Sequence, residues 1–128
     1  MAVRIVRLGS ARQPGEGIRI GTVRRPPRGV RKDHYAAQDW YDVWYPELAP
    51  AAETLAMGKA ATTARAWTGF LKRYRAEMAA PAASRSLDLL AALSHHADFS
   101  VGCYCADEAH CHRSVLRALL VQRGALVR

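Results

Sequence analysis

The chain has 128 residues, half of them hydrophobic, and a formal net charge of +8. Such a length and apolar content suit one packed domain and exclude general disorder, while the excess of Lys and Arg favours acidic partners such as nucleic acid, phosphorylated small molecules or anionic lipid. No apolar run approaches the roughly 18 residues of a membrane span, and arginines interrupt MAVRIVRLGS where a signal peptide would be apolar, so no membrane partner and a cytoplasmic location with reduced thiols are expected.

Val3 to Leu8 alternates weakly and is rich in β-formers, which predicts a first strand; Gly9 to Gly17 is a loop, and GIRIGTV a second strand. RRPPRGVRK, residues 24 to 32, has adjacent prolines that bar a central strand or helix, so it reads as an extended loop turning at Gly29. It is the most basic segment of the chain. Residues 34 to 50 carry two tryptophans and three tyrosines and predict an irregular or helical segment closed by Pro46 and Pro50. Rings of this kind more often cover a core edge than stack on bases.

Ala51 to Ala61 reads as a short helix or loop. Thr62 to Ala80 is the clearest helix, with Ala64, Trp67, Leu71, Tyr74 and Met78 at steps of three and four, Thr62 or Thr63 as cap and Pro81 beyond its end. Ser84 or Ser86 is then expected to cap a helix over Leu87 to His95 that buries Leu89, Leu90 and Leu93. Phe99 to Leu120 reads as a strand, a polar turn and a helix, with Asp107 as candidate N-cap, Val115, Leu116, Leu119 and Leu120 on the inner face and Gly124 as the stop. Leu126 to Arg128 suggests a last short strand. Strands at both ends of the chain with helices between them predict a single α/β domain.

All three cysteines fall within this last unit, where a strand ends and a helix begins. That is the usual place for chemistry in α/β proteins. Three readings compete. Cys103, Cys105, Cys111 and His112 (or His110) could bind zinc, although their crowding on one segment departs from the usual two-knuckle spacing. Cys105 could be a reactive or redox thiol, activated by a helix start and by Arg113. Arg113 and Ser114, facing Arg24, Arg28 and Gly29 of the basic loop, could hold a phosphate-bearing ligand, with His110 or His112 exchanging a proton near neutral pH. The third reading also accounts for the net charge and is the one adopted: an anion pocket for a nucleotide or a nucleic-acid end, possible catalytic residues being Cys105, His110 and His112. The rival is a non-catalytic nucleic-acid-binding module using Arg24, Arg25, Arg28, Arg31 and Trp40 or Trp44.

Four stretches resemble the domain of unknown function 488 family, also called YeaO-like: RRPPRGV at 24 to 30, WYPELAP at 44 to 50, FLKRYRAEM at 70 to 78 and CYCADEAHCHRSVLRALL at 103 to 120. The resemblance implies a Rossmann-like, mostly parallel sheet flanked by helices. It carries no established mechanism; nucleotide or nucleic-acid processing has been the idea for such proteins. Where many relatives have Asp-Arg-Leu-Trp before the Pro-Arg-Gly, this chain has Val23, Arg24, Arg25 and Pro26.

Overall fold

The computed structural model describes residues 1–128. Four short strands, β1 (Val3–Arg7), β2 (Ile18–Gly21), β3 (Val43–Trp44) and β4 (Phe99–Cys103), form one sheet in the order β1-β4-β2-β3. Every pairing is parallel. β4, the last in sequence, enters the middle and is buried at all its positions. A central strand of a parallel sheet is covered on both faces, and FSVGC has the small and apolar residues this requires. Four helices accompany the sheet: α1 (Ala52–Ala60), α2 (Ala64–Met78), α3 (Pro81–Leu93) and α4 (Arg113–Gln122). The chain is thus one α/β domain, and none of its helices is long and apolar enough to cross a membrane.

In-register neighbours share a face of a sheet. Val3 and Phe99, with Val101, pack in one core with Tyr74 and Met78 of α2, Leu87 and Leu90 of α3, and Leu116 and Leu120 of α4. The opposite face carries Arg19 beside Ser100 and Gly21 beside Gly102. Here the cover is loop. The Tyr41 ring lies so close over Gly21 that a Cβ there would come within 2.4 Å of it. Arg19 is wholly buried and forks onto Glu16 at 2.8 and 3.0 Å. Its remaining Nη1 donates to the carbonyls of Ser10 and Asp39. Ser100 and the Gln13 N–H also donate to Glu16, so one ion pair ties β2, β4 and two loops together.

Several boundaries depart from the sequence expectations. Val43–Trp44 forms a two-residue edge strand against Ile20 and Gly21, inside the segment expected to be irregular or helical. α3 begins at Pro81, not at Leu87: proline suits the first helical position because it lacks the N–H that would be unsatisfied there. Ser86 therefore lies within the helix and donates back to the Ala82 carbonyl. Ala83, Leu87, Leu90 and Ala91 form the inward stripe, which turns Leu89 (65% exposed) and Leu93 (38%) outward. Asp107 caps a 3-10 turn at Glu108–His110, and α4 starts only after it, at Arg113. The last expected strand amounts to a single bridge between Val3 and Val127.

The α2 expectations hold more closely. The Thr63 side chain accepts from the Ala66 N–H at 3.1 Å, and Tyr74 and Met78 are buried as expected, with Trp67 and Leu71 half-buried; Ala64, at the first turn, is exposed, and Phe70 joins the buried stripe in addition. Thr63→Ala should cost about 1 kcal/mol, typical for loss of an N-cap. Urea denaturation would measure it, and a change below a few tenths would show that the cap contributes nothing.

Candidate functional site

β1, β2 and β4 all end at the same edge of the sheet, and a cavity of about 1100 Å³ opens there. Arg7 ends β1 and Leu8 to Ser10 follow it, Val23 to Arg28 follow β2, and Cys103 to Cys105 close β4; α1 supplies Leu55 and Lys59, and His112 forms part of the floor. The basic loop and the cysteine–histidine segment thus line one pocket. Its wall includes Arg7, Arg24, Arg25, Arg28 and Lys59, and no carboxylate.

These cations differ in what they are free to do. Arg24 donates to the carbonyls of Pro46, Ala49 and Pro50 at 3.0 to 3.2 Å, which fixes the loop against the 3-10 turn Pro46–Leu48. Arg7 donates to the Tyr104 carbonyl, and the Tyr104 hydroxyl donates to the Arg25 carbonyl. Arg25, Arg28 and Lys59 are exposed side chains on the rim. Gly29 makes the turn beyond them with φ of +74° and does not itself line the cavity.

The floor is built by two element ends. Strand alternation sends Cys103 off the end of β4, and the 3-10 turn at 108–110 carries the chain back so that Cys111 and His112 meet it. The sulfurs of Cys103 and Cys105 are 3.7 Å apart, and Cys111 Sγ is 3.7 Å from His112 Nδ1. Cys103, Cys111 and His112 are buried with their donor atoms all within 4.8 Å of one another; Cys105 is exposed. His112 Nε2 is 2.8 Å from the Thr22 carbonyl oxygen, which can only accept. The proton is therefore on Nε2 and the Nδ1 lone pair is bare. Burial drives His112 down to about 4, so the imidazole is neutral at pH 7. The Cys103 S–H, then that of Cys111, stabilises a charge on Cys105 and holds its thiol well below the ordinary range, with Arg113 assisting. Cys103 is displaced upward in return.

The other expected residues lie behind or beside the pocket. Arg113 is buried, donates from Nη2 to the Cys105 carbonyl at 2.6 Å, and leaves Nε without a partner. It fixes the position of Cys105 and does not line the cavity. Ser114 is used locally, its hydroxyl donating to the Cys111 carbonyl. His110 is exposed outside the cavity, its ring stacked on Trp67 with centroids 3.8 Å apart. Of the two tryptophans considered for base stacking, Trp40 lines the cavity, whereas Trp44 donates its Nε1–H to the Val23 carbonyl. Arg7 and Lys59 were not foreseen. Arg7 could have been found as the last residue of a strand that feeds this edge; Lys59 has no local signal.

Neither the curated proteins nor the solved structures contain a match to this chain. The family model DUF488-N3a, described as the active DUF488-N3 subclade, matches residues 3–124, and the chain belongs to that family.

Proposed function

We propose that the cavity binds a phosphate-bearing small molecule of nucleotide size. The observation that carries this reading is a wall with five cationic side chains and no carboxylate. A site of one sign with low-dielectric walls concentrates counter-ions of the other. The exposed Arg25 and Arg28 offer planar forks suited to phosphate oxygens, and Lys59 of α1 a point charge. About 1100 Å³ exceeds what phosphate alone would fill and suits a drug-sized or nucleotide ligand. Leu55, Pro50 and the half-buried Trp40 ring supply an apolar side for a base. In this reading Arg24 and Arg113 shape the site and do not touch the ligand, and Cys105 and His112 lie under it. The description of the subclade as active is in keeping with a site that does chemistry.

The test is calorimetric titration of the protein with AMP, ATP and inorganic phosphate, repeated with Arg28→Ala and Lys59→Ala. Each loss of a charge-assisted contact should raise Kd by roughly ten- to a hundredfold. A mononucleotide that does not bind the parent protein, or binds both variants equally well, defeats the proposal. A short single-stranded oligonucleotide tests the rival. Binding much tighter than the mononucleotide, with a steep salt dependence, would mark a nucleic-acid surface in place of a small-molecule pocket.

A further inference from the structure

We propose that Cys103, Cys105, Cys111 and His112 form a binding centre for a divalent cation of the zinc class at the floor of the pocket. In a tetrahedral site with metal–sulfur bonds of about 2.3 Å and metal–nitrogen bonds of about 2.0 Å, sulfurs lie roughly 3.8 Å apart and sulfur and nitrogen roughly 3.5 Å apart. The Cys103–Cys105 sulfur pair is at 3.7 Å and the Cys111–His112 pair at 3.7 Å. The sequence objection was that all four residues share one short segment. It loses force once the 3-10 turn at 108–110 folds that segment back on itself, bringing the donors of Cys103, Cys111 and His112 within 4.8 Å of one another.

Two further observations point to a cation. The first is the tautomer. Metal-binding histidines commonly donate their second ring N–H to a carbonyl, which aims the bare nitrogen at the metal. His112 does this through Thr22, leaving Nδ1 on the Cys111 side. The second is charge. Arg113 is buried, and Glu108 makes its two short contacts, 2.6 and 2.9 Å, with Arg117. Three thiolates around a divalent cation carry one net negative charge, and Arg113, bonded to the Cys105 carbonyl, lies beside them. Loading releases the two remaining thiol protons, those of Cys103 and Cys111, to solvent, since Cys105 is already a thiolate; His112 gives up none, because its proton is on Nε2. Cys105 is the exposed ligand, so it is the one a molecule in the pocket would meet. As a ligand it is not a free nucleophile.

Cobalt reports on such a centre directly. Untagged, reduced, chelator-stripped protein titrated with Co²⁺ without oxygen should take up one equivalent, with thiolate-to-metal charge transfer and the strong visible bands of a tetrahedral ion, both lost on adding Zn²⁺. Cys111→Ser should abolish uptake. Since that residue is buried, Cys105→Ser at the exposed position is the second variant, its fold checked by circular dichroism. It should lose about a third of the charge-transfer intensity and bind cobalt at least tenfold more weakly. Failure of the parent protein to take up cobalt, bands without thiolate character, or a Cys105→Ser titration matching the parent's would each overturn the assignment. So would a Cys103–Cys105 disulfide forming in place of metal uptake, seen as thiol loss under mild oxidation that zinc does not prevent. Arg28→Ala should titrate with cobalt like the parent, so the centre and the anion pocket stand or fall separately.

Discussion

Glu16→Gln should lower the melting temperature by roughly 10 °C or more, a loss of about 3–5 kcal/mol. The reason is the state of its partner. Arg19 has no exposed surface, and Glu16 is its only ionic partner. Guanidinium cannot shed its proton, so removing the carboxylate leaves a permanent charge in the interior. Arg19→Met should cost less, because an orphaned Glu16 can take up a proton and become neutral. Glu16→Leu combined with Arg19→Met should recover much of the loss, since well-packed apolar replacements of a buried pair are often nearly neutral. Thermal and urea melts of the three variants measure the coupling. A Glu16→Gln protein within 1 kcal/mol of the parent would show that water or another group solvates Arg19.

The same pair sets an acid limit. Burial alone would raise Glu16, but Arg19, Ser100 and the Gln13 N–H outweigh it and hold the carboxyl at about 2, against 4.5 for a free glutamate. A depressed folded-state value means that the unfolded chain binds the proton more readily. The contribution, about 3 kcal/mol, is complete above pH 4.5 and disappears as the pH falls toward 2. Asp42, held low by Arg12 and by the Arg19 N–H despite its own burial, acts in the same direction. The parent should therefore lose stability through this range, and Glu16→Gln should lose distinctly less.

That network also shows what could and could not be read from sequence. An arginine between two isoleucines in GIRIGTV looks like the wet side of a strand. It is buried because the loops around Ser10 and Asp39 cover that face, and no local pattern announces such a cover. The α2 stripe was legible because cap, period and inward face coincide within one stretch. The start of α3 was not, since a proline just beyond one helix reads as its stop, and here Pro81 also opens the next. β3 is two exposed residues whose strand character comes wholly from pairing with β2. For the site, chemistry was visible before geometry. The cysteines, His112 and the basic loop stand out in the sequence, but the convergence of the Cys103, Cys111 and His112 donors depends on a 3-10 turn. Arg113 was expected at the pocket because it opens a helix, yet the first turn of α4 points inward, making it a support for Cys105.

Arg113→Met tests what balances that buried charge, because two opposing effects change rank with the state of the thiols. With no metal present the one thiolate is that of exposed Cys105, which solvent and the Cys103 and Cys111 thiols also stabilise, and Arg113 makes no carboxylate ion pair, so the substitution should cost little. With three thiolates around a divalent cation, Arg113 is the counter-charge, and its removal should cost about 3–5 kcal/mol, as when one member of a buried pair is deleted. Methionine retains the apolar stem of arginine, and whatever packing is lost with the guanidinium is common to the stripped and loaded forms. The quantity to follow is the gain in melting temperature on adding zinc to stripped protein. Arg113→Met should show a gain smaller than the parent's by roughly 10 °C, with the deficit arising in the loaded form. Equal gains in the two proteins would mean that Arg113 does not sense the cluster, and its charge would then have to be balanced by a group other than the thiolates.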